Sequence, residues 1–170
     1  MNSSQGSVMI DAGKLDSQSS IRLTSAAGTQ VTGADLIAAG TGESEGLFIN
    51  SNGGAVEVTS NTVSSGSVID IESQKGASLT VESLNAAGKL DVESKEGSIN
   101  VSSEANGNTG GLQVAAESGS VTLRGLNVDS STDIDVQAKD SISVTGGSLK
   151  NKDGSNLILV SKEGNLNLAL

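Results

Sequence analysis

Aliphatic residues occur in this sequence as pairs with one residue between them, and the pairs return every twenty-odd positions. The hexamer EGSINV at 96–101 returns as SGSVTL at 118–123, as DSISVT at 140–145 and as EGNLNL at 163–168. Alternation of apolar and polar residues is the pattern of a β-strand with one buried face. Because the strands recur at a nearly constant interval, the pattern predicts a repeat protein.

Three sets of such positions alternate along the chain. The first set begins at Val8, Val31, Val56, Leu79, Ile99, Val121, Ile142 and Leu166. The second set begins at Ile21, Leu47, Ile69, Leu90, Leu112, Ile134 and Leu157. A third, weaker set consists of Leu15, Leu36, Val63, Leu84, Ala105, Leu126 and Leu149. We therefore expect three short strands in each repeat.

Strands this short cannot bury an apolar face alone, but stacked repeats place equivalent residues in columns around an aliphatic interior. The sequence thus predicts an all-β fold, a right-handed parallel β-helix (β-solenoid) of about seven coils of 20–26 residues with three parallel sheets. Left-handed solenoids have shorter, stricter coils, which is why the right-handed form is favoured. The whole chain, 1–170, is expected to form one solenoid segment, on the order of 35 Å long.

Glycine precedes the first strand of most repeats, for example at Gly6, Gly54 and Gly97. A corner at that position needs either a positive φ or a residue without a Cβ atom. The repeat length varies mostly in two segments rich in Gly, Ser and charged residues, at 39–46 and at 150–155. These segments are predicted to be loops that project from the solenoid.

Composition excludes several function classes. The chain has no His and no Cys, which removes Ser/His and Cys/His nucleophile systems and most zinc sites. Its 10 basic and 20 acidic residues give a net charge of −10, which disfavours nucleic acid and anionic membrane surfaces as partners. The longest aliphatic run, at 157–160, is too short for membrane insertion. Acid–base chemistry by paired carboxylates stays possible, but we expect no enzymatic activity and no organic cofactor.

Four carboxylates form the one candidate metal site. If the second set of strands stacks in register, Asp70 and Glu72 lie beside Asp91 and Glu93 on two adjacent coils, about 4.8 Å apart. Like charges at that spacing raise one another's pKa or recruit a cation such as Ca²⁺. The alternative interpretation is a solvated acidic face that keeps the rod soluble. No Arg, Tyr or Trp is expected nearby to hold a sugar.

The outward positions of the first strands form a second candidate surface of short polar side chains. They are predicted to be Met9, Thr32, Glu57, Thr80, Asn100, Thr122, Ser143 and Asn167. Such a ladder could bind ice or a flat glycan, but short polar residues are also common on any exposed parallel sheet. Asn2 and Asn100 each begin an N-x-S sequon, a pattern that also arises by chance.

The repeated phrases resemble the haemagglutinin-type repeats of filamentous haemagglutinin and related two-partner-secreted bacterial adhesins. Those repeats follow G-x-[VLI]-x-[LVI]-x-[AS]-x-x-[GD], which is matched with modest variation at 97–104, 119–126 and 132–139. The resemblance covers most of the chain. It implies a long shaft that is secreted or exposed on the bacterial cell surface and serves adhesion, biofilm contact or contact-dependent toxin delivery. This sequence does not contain that family's N-terminal secretion domain or its NPNL-type motifs.

The leading hypothesis is therefore a structural and adhesive shaft segment, an excerpt of a longer repeat protein. Its expected partners are neighbouring coils of the same chain and surface glycans or proteins of a host or another bacterium. A second hypothesis is a self-assembling filament subunit, because the chain ends at Leu166, Leu168 and Leu170 with an uncovered apolar coil. A third is a polysaccharide-active or carbohydrate-binding β-helix, which would need a groove and an aromatic platform.

Overall fold

A computed structural model of the chain describes residues 1–42, 44–152 and 154–170. The described residues form fourteen β-strands, and no helix among them is long and apolar enough to cross a membrane. The strands are β1 (Asn2–Ser3), β2 (Ser7–Ser17), β3 (Ile21–Ser25), β4 (Gly28–Ala38), β5 (Gly46–Ser51), β6 (Val56–Ser65), β7 (Val68–Ser73), β8 (Ala77–Ser94), β9 (Ile99–Ala116), β10 (Val121–Ser130), β11 (Ile134–Ala138), β12 (Ile142–Asn151), β13 (Leu157–Ser161) and β14 (Leu166–Ala169).

All strand pairs are parallel, and they stack the chain into a β-solenoid of about eight turns. The first face contains β14 and the opening parts of β2, β4, β6, β8, β9, β10 and β12. The third face contains the later parts of the same long strands. The second face contains β1, β3, β5, β7, β11, β13 and the ends of β8 and β9. The predicted parallel solenoid is confirmed, with about one turn more than expected.

The interior consists of stacked aliphatic columns. On the second face the predicted column is confirmed at every turn, because the strand register joins each predicted position to the next. Its central members Leu47, Ile69, Leu90, Leu112 and Ile134 are fully buried. Burial of one such side chain stabilises the fold by about 1.5–3 kcal/mol. The columns therefore supply the main apolar contribution to the stability of the solenoid.

The register of the first face differs from the prediction at two turns. Val8 is paired with Thr29 rather than with Val31, and Val56 is paired with Ala77 rather than with Leu79. Thr29 and Ala77 are both buried in the core column although neither is a large aliphatic residue. The sequence pattern counted only large aliphatic residues, so it started these two strands two positions too late.

The third set of predicted positions is also wrong at two turns. Gly107, not Ala105, is the register partner of both Leu84 and Leu126. The pairing of β8 with β9 is irregular between Val81 and Ser83, and this bulge shifts the following residues of β9. Two turns later Gly147 is paired with Leu126, and Leu149 continues the neighbouring column through Val128. The bulge in β9 changes which of its residues points inward, because side chains alternate along a strand, whereas the pairing of β10 with β12 keeps one register throughout.

The two predicted loops connect β4 to β5 and β12 to β13, and their residues 43 and 153 lie outside the described part of the chain. In the first loop the Glu45 side chain is held by two hydrogen bonds. Its carboxylate accepts hydrogen bonds from the Gly42 amide at 2.8 Å and from the Ser19 hydroxyl at 2.9 Å. These bonds, led by that from Gly42, lower the pKa of Glu45.

Serine side chains satisfy the backbone at the corner between the second and first faces. The hydroxyl oxygens of Ser3, Ser51 and Ser94 each accept a hydrogen bond from the amide of the glycine three residues later. The Ser73 hydroxyl instead donates to the carbonyls of Gly54 and Gly76, at 3.0 and 2.6 Å. A buried polar backbone group without a partner costs free energy, so these serines stabilise the corner.

Close packing between turns requires glycine at two of these corners. A Cβ atom on Gly54 would lie 1.3 Å from the carbonyl oxygen of Ala27, and one on Gly97 would lie 2.2 Å from that of Lys75. Neither glycine has a positive φ. At Gly54 and Gly97 the lack of room is therefore the reason that applies, whereas Gly76 at the equivalent corner has a positive φ of 124°.

Replacement of a corner serine should destabilise the fold measurably. In the Ser51→Ala variant the buried Gly54 amide loses its hydrogen-bond acceptor, so we expect the free energy of unfolding to fall by about 1–2 kcal/mol. Urea denaturation followed by circular dichroism measures this change. The control is Ser78→Ala on the outward side of the first face, where the loss should stay below about 0.5 kcal/mol. Equal losses in the two variants would contradict this role of Ser51.

Removal of one full turn in register should leave a folded, shorter solenoid. Deletion of residues 99–120 joins Ser98 to Val121, which occupies the same column as Ile99. We expect cooperative unfolding and a rod shorter by about 4.8 Å in small-angle X-ray scattering. Deletion of residues 99–109 removes only part of a turn, so the following strand meets the wrong face. That variant should lose its cooperative transition, and retention of the transition would contradict the proposed register.

Candidate functional site: an acidic ladder on the second face

The four carboxylates singled out from the sequence lie side by side on the second face. Strands β7 and β8 pair in parallel, with Asp70 opposite Asp91 and Glu72 opposite Glu93. The alternating residues Ile69, Ile71, Leu90 and Val92 are buried, so the carboxylates point away from the core. We call Asp70, Glu72, Asp91 and Glu93 the acidic ladder. Its predicted arrangement is confirmed by the strand register.

Crowding and partial burial change the acidity of the ladder. Burial, followed by the charges of Asp91 and Glu72, raises the pKa of Asp70 to about 6. The pKa of Glu93 is also raised, first by burial and then by the charges of Asp91 and Glu72. Both shifts have the sign expected for carboxylates that lose solvent and face like charges. Stacking strands in register therefore carries an electrostatic cost at this position.

Two neighbouring side chains offset part of this repulsion. The Lys89 ammonium lies 2.5 Å from Asp91 Oδ2 and also donates a hydrogen bond of 3.0 Å to Gln113 Oε1. The Asn50 amide donates a hydrogen bond of 2.5 Å to Glu72. Asp91 Oδ1 is buried and has no hydrogen-bond partner among the described residues. The ladder is thus a partly compensated cluster whose net charge stays negative.

The predicted calcium site stays a prediction. Within residues 1–42, 44–152 and 154–170, no group of three or more acidic side chains is arranged to hold a metal ion. Calcium normally takes six to eight oxygen ligands. In the ladder, Lys89 and Asn50 already contact oxygens of Asp91 and Glu72, which would otherwise be free for a cation.

An arginine and an aromatic ring continue the same outward column, and the expectation that no Arg lies near the ladder is wrong. Arg22 is paired with Phe48, which is paired with Asp70. The Arg22 guanidinium carbon lies 3.8 Å from the centre of the Phe48 ring, and Arg22 donates a hydrogen bond of 2.9 Å to the Ser44 carbonyl. The 22- to 26-residue spacing of these positions was a usable signal. The hydrogen bond of Arg22 to Ser44 in the 39–46 loop had no such signal in the sequence.

Two shallow grooves flank this column. A groove of about 400 Å³ is lined by Arg22, Phe48, Asn50, Asp70 and Glu72, among others. A second, of about 330 Å³, is lined by residues that include Glu93, Glu117 and Lys95. The guanidinium of Arg22 covers one face of the Phe48 ring, so that face is not an open platform for a sugar. The excess of carboxylates disfavours anionic ligands in both grooves.

The polar ladder of the first face differs from its predicted composition. The outward column that begins at Met9 contains Gln30 and Ser78 in place of Thr32 and Thr80. Thr32 and Thr80 belong to the next outward column, where they flank Thr59. The other predicted members of the first column are confirmed in register, and they are Glu57, Asn100, Thr122, Ser143 and Asn167. The column is chemically mixed, as on an ordinary exposed sheet.

A row of asparagines on the third face was not found from the sequence. Asn85, Asn108 and Asn127 are register partners on successive turns, and Ser148 follows them. The Ser148 hydroxyl donates a hydrogen bond of 3.2 Å to Asn127 Oδ1. The row borders a groove of about 410 Å³ that is open to solvent. Its signal was the recurrence of Asn one position after the third-face column, at intervals of 23 and 19 residues.

The potential glycosylation sites are both exposed. Asn2 lies in β1, and Asn100 points outward from the first face in β9.

Comparison with known proteins adds no identification, because no family model, no curated protein and no solved structure matches the chain. Arguments about its function therefore depend on its own sequence and geometry.

The acidic ladder predicts that stability falls as the pH rises. The folded-state pKa of Asp70, about 6, lies above its ordinary value of 3.8. The corresponding stabilisation is fully present below pH 3.8 and is lost as the pH rises through 6. Asp70→Asn should therefore be more stable than the parent chain at pH 8, by on the order of 1 kcal/mol once solvent screening is allowed for. Thermal unfolding at pH 4 and pH 8 measures the difference.

Asp135→Asn is the matched control for this prediction. Asp135 lies in the same outward column, but its register partners are Gln113 and Ile158 instead of acids. We expect its substitution to change stability equally at the two pH values. A pH-dependent gain in the Asp135 variant, or none in the Asp70 variant, would contradict the role of the ladder.

Proposed function

We propose that the chain is a stiff shaft segment of a secreted bacterial adhesin exposed on the cell surface. The observation that carries the proposal is the regular parallel stacking of about eight turns around a continuous aliphatic interior. Such a stack transmits force along its axis through backbone hydrogen bonds and columns of side chains. Its role is to hold a binding region at a distance from the cell, and it needs no catalytic group of its own.

The surface of the rod supports this mechanical role. Its sides carry short polar residues and carboxylates, and its grooves are shallow and open. A ligand site for a small molecule is normally a concave pocket with apolar walls. The amino-acid sequence of the repeats supports the link to bacterial adhesins, because it resembles haemagglutinin-type repeats. Adhesion, biofilm contact and toxin delivery would then depend on other parts of the same assembly.

Location and binding can be tested separately. Antibodies raised against the purified chain should label intact cells of the organism that produces it, as strongly as they label permeabilised cells. The control is an antibody against a cytoplasmic protein, which should label permeabilised cells only. Labelling that requires permeabilisation would contradict a surface location.

Beads coated with the purified chain test whether the shaft binds by itself. If the chain is only a spacer, these beads should bind host cells, bacterial cells and glycan arrays no better than beads coated with the variant that lacks residues 99–120. Saturable binding that the shortened variant loses would overturn the purely mechanical role and assign the contact to the deleted turn.

A further inference from the structure

Asparagine is followed directly by glycine at two positions of the chain, Asn52–Gly53 and Asn106–Gly107. In such a pair the asparagine side chain reacts readily with the backbone, because glycine has no Cβ atom to hinder the approach of its amide nitrogen. The reaction needs an accessible amide nitrogen and a backbone that can rotate. The two pairs differ in both respects.

The Asn52–Gly53 pair lies outside the strands, at the corner between the second and first faces. Both residues are exposed, and they follow the last residue of β5. The Asn52 amide donates a hydrogen bond of 3.0 Å to the Ser25 carbonyl. The Gly54 amide donates one of 3.2 Å to the Ser51 hydroxyl. The Gly53 amide between them has no acceptor among the described residues. The attacking nitrogen and the side chain that it attacks are therefore both open to solvent.

The Asn106–Gly107 pair lies inside β9 and belongs to the backbone ladder. Gly107 is buried and has register partners on both sides, Leu84 and Leu126. The neighbouring turn is close, since a Cβ atom on Gly107 would lie 2.6 Å from the carbonyl oxygen of Gly125. Rotation of the backbone here would break the pairing with adjacent strands. This pair should react only when the turn opens.

We propose that Asn52 is a site of spontaneous deamidation in the folded chain, with water as the co-reactant. The Gly53 amide nitrogen loses its proton to solvent and attacks Cγ of Asn52. The bond between Cγ and the side-chain nitrogen then breaks, and this nitrogen takes up a proton and leaves as ammonia. The product is a cyclic succinimide. The modification goes beyond the shaft function and does not depend on it.

Hydrolysis of the succinimide opens the ring in one of two ways. Water that breaks the bond between the Gly53 nitrogen and Cγ restores the normal backbone and leaves aspartate. Water that breaks the bond between this nitrogen and the backbone carbonyl carbon leaves isoaspartate. Each route consumes one water molecule and changes no oxidation state.

Either product adds a negative charge to a groove that is already acidic. Asn52 lines this groove together with Glu72, Glu93 and Glu117. A further carboxylate increases the repulsion among these side chains and makes this side of the rod more negative. The aspartate product therefore differs from the parent chain mainly in charge.

The isoaspartate product also lengthens the backbone at a tightly packed corner. Its main chain runs through the side-chain carbon, which inserts one extra carbon atom between Ser51 and Gly54. A Cβ atom on Gly54 would lie 1.3 Å from the carbonyl oxygen of Ala27, so the corner has no room to shift in that direction. We expect the hydrogen bond between Ser51 and Gly54 to be lost, which lowers the midpoint of thermal unfolding by about 2–4 °C.

Peptide mapping by mass spectrometry compares the two asparagines within the same chain. The protein is incubated in mildly alkaline buffer, folded in one sample and unfolded in urea in the other. In the folded sample Asn52 should convert to aspartate and isoaspartate at least about tenfold faster than Asn106, which needs local opening. In urea the two should convert at similar rates. An intact Asn52 in the folded sample, or equal conversion of the two asparagines there, would overturn the proposal.

Two variants separate the effect of charge from that of backbone length. Asn52→Gln keeps a side-chain amide but closes the larger ring slowly, so it should form much less isoaspartate than the parent. Asn52→Asp carries the charge without the extra carbon atom, so its unfolding midpoint should stay close to that of the parent. The isoaspartate form, purified by ion-exchange chromatography, should unfold at a temperature about 2–4 °C lower. As much isoaspartate in Asn52→Gln as in the parent would assign the reaction to another residue and overturn the proposal.

Discussion

The parallel backbone ladder between successive turns is the interaction on which the rest of the structure depends. It fixes each residue above its counterpart one turn away, about 4.8 Å distant. Small segments that could bury nothing alone thereby share one interior, in which Leu47, Ile69 and Leu90 form a continuous column. A slip of one residue in any turn would expose its aliphatic side chains, so the ladder and the apolar columns enforce the same register.

Because every position is repeated, the backbone ladder between turns also determines which side chains are neighbours on the surface. Like residues become neighbours whether or not their proximity is favourable. At the corners this is useful, since Ser51 and Ser94 each satisfy a backbone amide in the same way. On the second face it is costly, since Asp70 faces Asp91 and its pKa is raised. Lys89 and Asn50 reduce that cost by contacting two of the four carboxylates.

The resulting rod has an aliphatic interior and a polar exterior. Its sides are polar and acidic, and they offer shallow grooves in place of a closed pocket. With a net charge of −10, two such rods repel one another. This surface is consistent with the proposed role as a stiff spacer.

The sequence by itself determined the solenoid, the second-face column and the acidic ladder, because a large aliphatic residue marks that column at nearly every turn. It misplaced two first-face strands because Thr29 and Ala77 fill core positions with small side chains. A sequence signal was available there, since serine precedes glycine by three residues at Ser25–Gly28 and Ser73–Gly76, as it does at three of the corners described above. Only the tertiary structure placed Arg22 on Phe48, Lys89 on Asp91 and Gly107 opposite Leu84. These contacts depend on loop path, side-chain direction and a bulge, and none of the three follows from the period of the repeat.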